Sequence, residues 1–87
     1  LVNDAGGEAI AALPDAERKA TIRTMVENLS ERLAANGGDV DEWTRLVRSR
    51  MALGERDKAM QALQDARKAL SADAQVALDQ LSREFGL

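Results

Sequence analysis

Eighty-seven residues, 45% of them hydrophobic but only 2% aromatic, allow one small domain whose core is built from aliphatic side chains with Trp43 and Phe85. The formal net charge of −3 argues against a nucleic-acid binder, which carries a basic footprint. With no His, Cys or Tyr, the chain lacks the usual general base, the thiolate nucleophile, and the imidazole and thiolate metal ligands. It reads as a non-enzyme without a cofactor of its own.

From the N-terminus, residues 1–14 are poorly patterned: Gly6 and Gly7 disfavour a helix, and Glu8–Leu13 is expected to form at most a short one ended by Pro14. The start at Leu1 rather than Met reads as a piece of a longer or processed protein. Residues 15–87 form the domain proper. Asp15 is expected to cap a helix over residues 16–35, with Ile22, Met25, Val26, Leu29 and Leu33 as one apolar stripe. Asn36-Gly37-Gly38 stops it, since Asn and Gly accept the left-handed backbone that ends helices. Asp39 or Asp41 caps the next helix, 40–53, which buries Val40, Trp43, Leu46, Val47 and Met51. A third helix, 57–70, carries Ala59, Leu63, Ala66 and Leu70 on one face. Ser71 or Asp73 caps a fourth, 74–85, with Ala77, Leu78, Leu81 and Phe85 as its stripe. The two central helices are joined by so few residues that they must be antiparallel neighbours.

Charge is uneven along these elements. Residues 1–42 hold nine acids and four bases, 43–70 seven bases and three acids, and 71–87 three acids and one base. A basic hairpin thus lies between acidic flanks, expected to be attracted to them or to acidic groups on a partner. Glu42 and Arg45, three residues apart, are expected to pair on the helix surface.

Tested for a period of 34 residues, the chain supplies Trp43, Leu46, Gly54, Ala59, Leu63 and Ala66 where a tetratricopeptide unit has its core positions. Small Ala59 and Ala66 let the two helices approach, and Trp43, Leu46 and Leu63 fill the space between them. Val47, Arg50 and Ser71 depart from the usual Gly/Ala, Tyr and Pro. A shift of 34 maps Met25 onto Ala59 and Leu29 onto Leu63 upstream, and Val47 onto Leu81 and Met51 onto Phe85 downstream. The expected fold is therefore all-α, with antiparallel helix hairpins: one complete tetratricopeptide-like unit flanked by half-unit helices in a right-handed superhelical array. An ordinary four-helix bundle predicts nearly the same core.

In such arrays the first helix of each unit lines the concave surface. Its outward positions here are Asp41, Thr44, Arg48, Met51 and Ala52, the expected protein-binding groove, which suits an amphipathic helix. Apolar stripes on the half-units also leave room for self-association as a homo-oligomer by helix exchange.

Ile-Arg-Thr-Met-Val-Glu-Asn-Leu-Ser-Glu-Arg-Leu (22–33), Asn-Gly-Gly-Asp-Val-Asp-Glu-Trp-Thr-Arg-Leu-Val-Arg-Ser (36–49) and Met-Ala-Leu-Gly-Glu-Arg-Asp-Lys-Ala-Met-Gln-Ala-Leu (51–63) together resemble one family. It is the C-terminal tetratricopeptide domain of the bacterial cytochrome c-type biogenesis factors of the CycH/CcmI family. The resemblance implies a periplasmic domain of a membrane-anchored parent. It also implies a chaperone that binds apocytochrome c, largely through its C-terminal helix, and works with subunits of the haem-ligation complex. The reading set against it is a generic repeat scaffold, an oligomerisation or co-chaperone domain unrelated to cytochrome c.

Overall fold

The computed structural model describes residues 14–87, all of whose regular structure is helical. The expected short helix at Glu8–Leu13 lies outside the described residues. Four helices follow one another: α1 (Asp15–Asn36), α2 (Val40–Ala52), α3 (Arg56–Ala69) and α4 (Ala72–Phe85).

Asp15 does not cap α1. Pro14, in an extended conformation (φ −53°, ψ 150°), stands at the cap, and its carbonyl accepts from the Arg18 N–H at 2.8 Å. Asp15 is the first helical residue, and its carboxylate accepts from the Arg18 side chain at 2.6 Å instead. The helix ends where the sequence stops it. Gly37 adopts φ 72° and donates its N–H to the Leu33 carbonyl at 2.8 Å. Gly38 has a different reason to be glycine: a Cβ there would run into the Leu33 side chain.

Between the two candidates for the α2 cap, the structure selects Asp39, whose Oδ1 accepts from the Glu42 N–H at 2.9 Å. Leu53 and Gly54 end α2, and α3 begins one residue earlier than expected. Ser71 stands at the α4 cap without a side-chain cap hydrogen bond. Asp73 sits inside the first turn, because α4 starts two residues earlier than the stripe suggests.

The α2–α3 hairpin is the most extensive packing in the domain; α1 lies on α2, and α4 touches both α2 and α3. Its interface is Trp43, Leu46 and Val47 against Ala59, Ala62, Leu63 and Ala66, all buried, with Val47, Ala59 and Ala66 fully enclosed. Leu33 and Val26 enter from α1, Leu78 and Leu81 from α4. The arrangement is the expected all-α one, a tetratricopeptide-like hairpin between two flanking helices. Two stripe members do not follow their stripes. Met25 is 54% exposed, and Ala77 is exposed as well. The buried face of α1 is centred on Val26 and Leu33, so Met25 turns to its outer side.

Arg50, at the position where the repeat usually has Tyr, is buried with its charge (5% exposed). Its Nη1 donates to Glu27 of α1 at 2.6 Å and to Glu55, ahead of α3, at 3.0 Å. Lys58 and Arg23 stand around the same carboxylates at 3.5–3.8 Å. Burial lowers the tendency of the Arg50 guanidinium to stay protonated, but the hydrogen bonds and charges of Glu27 and Glu55 outweigh it and raise its pKa. The same hydrogen bonds hold both carboxyls below the usual carboxylate range.

Candidate protein-binding grooves

Thr44 and Arg48 lie one helical turn apart on one face of α2. The structure brings them opposite Ala77, Gln80, Leu81 and Glu84 of α4, forming a shallow groove of about 470 Å³. Arg48 is the cation of its lining. Its guanidinium donates to the Glu84 carboxylate at 3.0 Å, with a second contact of 2.8 Å, and sits 5.7 Å from the centroid of the Phe85 ring. Both charged groups remain about half exposed (51% and 46%), so the pair is accessible to a partner's polar groups. An exposed pair of this kind adds little stability.

The other three residues expected in the groove do not line it. Met51 is half-buried and packed against the core, because it follows Val47 by four residues on the inward stripe. Asp41 and Ala52 are exposed at opposite ends of α2. Gln80 and Glu84, which form the far wall, could not be singled out in the sequence. They interrupt the apolar stripe of α4 and carry no signal of what they face.

A second groove, about 630 Å³, runs between α1 and α3, which scarcely meet. Leu33, Trp43, Leu46 and Ala62 form its apolar part, and Glu27, Lys58, Asp65 and Lys68 stand along it. Trp43 is 4% exposed, and its buried Nε1–H has no hydrogen-bond partner among the described residues.

The basic hairpin is held by the acidic flanks, as its charge suggested. Arg50 and Lys58 reach Glu27, Arg48 reaches Glu84, and Arg67 reaches Asp79 at 2.7 Å. The expected Glu42–Arg45 pair does not form. Glu42 accepts from Arg32 of α1 at 2.8 Å, which the tight Gly37-Gly38 turn places beside it. Among the described residues no group of three or more acids stands close enough to hold a metal ion, and no helix is long and apolar enough to cross a membrane.

No protein-family profile and no solved structure matches the chain. Two curated proteins do. The cytochrome c-type biogenesis protein CycH of Bradyrhizobium diazoefficiens is 46% identical over 71 residues, covering 78% of this chain. The protein of the same name from Rhizobium meliloti is 40% identical over 73 residues, covering 82%. The chain spans 19% of the length of each relative. With identity at this level over about four fifths of its length, the chain is a CycH-like sequence.

Proposed function

We propose that this domain binds an apocytochrome c during cytochrome c maturation and presents it to the haem-ligation machinery, with the α2–α4 groove receiving the client's C-terminal helix. The observation that carries the reading is the 40–46% identity to proteins named for cytochrome c biogenesis. The groove supports it: a shallow trough lined by Thr44, Ala77 and Leu81 beside the half-exposed Arg48–Glu84 pair suits an amphipathic helix that brings a small apolar strip and its own charges. Neither Cys nor His occurs in the sequence, so these residues offer no thiol or imidazole for haem attachment. By the same relationship the domain works in the periplasm, as part of a membrane-anchored protein.

Fluorescence anisotropy of a dye-labelled C-terminal helix peptide from an apocytochrome c tests this. A dye is preferable to Trp43 emission, because Trp43 lines the other groove. Saturable binding is expected, weakened about tenfold by Arg48→Glu, which corresponds to about 1.4 kcal/mol. Thr44→Arg, which fills the trough, is expected to weaken it comparably. No saturation up to millimolar peptide, or equal binding by a scrambled peptide, sinks the client assignment. Tight binding that both variants leave unchanged sinks the groove assignment alone.

A further inference from the structure

The two ends of the α1–α3 groove differ in how their polar groups are met. The pairs Glu27–Arg50 and Arg32–Glu42 run in opposite order along α1 and α2, so these helices are antiparallel, as α2 and α3 are across their short turn. The start of α2, with Trp43, therefore stands level with the C-terminal ends of α1 and α3. At the far end, Glu27, Arg50, Glu55 and Lys58 satisfy one another.

At the Trp43 end the demand is unmet. The indole lines the groove, and its Nε1–H, shut from solvent, has no acceptor among the described residues. A buried donor in that condition carries its desolvation penalty until an acceptor reaches it. Lys68, at the same end of α3, forms no ion pair with any described acid. The acids of the lining are engaged, Glu27 by Arg50 at 2.6 Å and Asp65 by the Gln61 amide at 2.9 Å. Of the charged residues along the groove, Lys68 alone lacks a polar partner among the described residues. What the groove can still receive is an anion. The excess of bases in the central hairpin, seven against three acids, acts in the same direction.

Shape agrees with charge. Small residues keep this end open: Ser30 and Ala34 on α1, Ala62 and Ala69 on α3. Between them Leu33, Leu46 and the Trp43 ring form an apolar floor. The volume of about 630 Å³ falls within the ~300–1,000 Å³ of sites that enclose a ligand.

We propose that the α1–α3 groove is a second docking surface, which takes a short acidic segment of a partner protein. An apolar side chain of that segment rests on Leu33 and Leu46, and a neighbouring Asp or Glu carboxylate accepts from Lys68 and the Trp43 Nε1–H. The inference does not rest on the cytochrome client, which is assigned to the α2–α4 groove on another face.

Trp43 is the only tryptophan, so the full chain gives one indole N–H signal, and NMR can follow it directly. The probe is the peptide Ser-Leu-Glu-Asp-Leu-Ser, capped at both ends, with Ser-Leu-Gln-Asn-Leu-Ser as its uncharged counterpart. Saturable movement of the indole signal is expected with the acidic peptide, and binding at least tenfold weaker with the uncharged one. Lys68→Glu should weaken the acidic peptide about tenfold. Lys19→Glu, the same charge change at an exposed site on α1 outside the groove, should leave it unchanged. Ala34→Glu, which brings a carboxylate to the open end, should also block binding. Circular dichroism checks that each variant keeps its helices. An indole signal unmoved up to millimolar acidic peptide overturns the proposal, as does equal binding of the uncharged peptide. So does equal weakening by Lys19→Glu and Lys68→Glu, which would reduce the effect to net charge. Binding of the uncharged peptide only when its C-terminus is a free acid would make a chain end the occupant, against the proposal. Movement of the indole signal with protein concentration alone would make it a second copy.

Discussion

Replacing Arg50 with methionine keeps most of the volume of the buried stem and removes the guanidinium that ties α1, α2 and the start of α3 together. Two charge-assisted hydrogen bonds are lost, at 2.6 Å to Glu27 and 3.0 Å to Glu55. Each bond of this type is worth about 1.5–3 kcal/mol when both groups stay out of water. Here the carboxylates are not stranded. Glu27 remains 45% exposed, and Glu55 keeps Lys58 at 3.6 Å and Arg23 at 3.5 Å. The methionine also removes the cost of burying a cation. The net penalty of Arg50→Met should therefore be about 1–2 kcal/mol, well short of the ~3–5 kcal/mol of a buried charge left without its partner. For a domain of this size that lowers Tm by about 5–15 °C at pH 7. The sign of the pH dependence follows from the carboxyls. Their pKa values are depressed in the folded state, so their contribution is full above the ordinary value near 4.3 and lost as pH falls through the lower folded values. Thermal melts followed by circular dichroism at 222 nm should show the gap between wild type and Arg50→Met closing below about pH 4. A gap as wide at pH 3 as at pH 7 would mean that packing of the stem, not the ion pairs, carries the effect.

Other substitutions separate neighbouring effects. Trp43→Phe should cost about 1 kcal/mol in urea unfolding, because the lost contacts are partly offset by removing an unpaired buried donor, whereas Trp43→Ala should cost about 3–5 kcal/mol. A Trp43→Phe penalty well above ~1 kcal/mol would show that the Nε1–H is satisfied in solution. Asp39→Ala should cost about 1 kcal/mol by the same measurement, since its side chain caps α2. Ser71→Ala at the corresponding position of α4 should be near neutral, because no side-chain cap bond exists there.

How far the sequence discloses this molecule depends on the range of the interaction that decides each feature. The Asn36-Gly37-Gly38 stop and the Trp43–Leu46–Ala59–Leu63–Ala66 interface are decided within a turn or within one hairpin and are legible, as is a cap at Asp39 or Asp41, between which only the structure chooses. The Glu42–Arg45 expectation fails because a neighbour on the same helix competes with Arg32, which a sharp turn brings alongside. Arg50 is the stronger case. At a core position its charge is unfavourable by any local rule, and it becomes favourable only when Glu27, 23 residues away, and Glu55 converge on it. The groove divides in the same way. Thr44 and Arg48 follow from the register of one helix, but the wall they face depends on how α4 is rotated. That rotation is fixed by burying Leu78 and Leu81, which leaves Gln80 and Glu84 on the groove side. The polar interruptions of α4's stripe are thus the part of the site that only packing could reveal. Arg48 meets Glu84 because two leucines had to be buried, so a partner entering the groove must contend with a charge pair that the core, not the surface, has positioned.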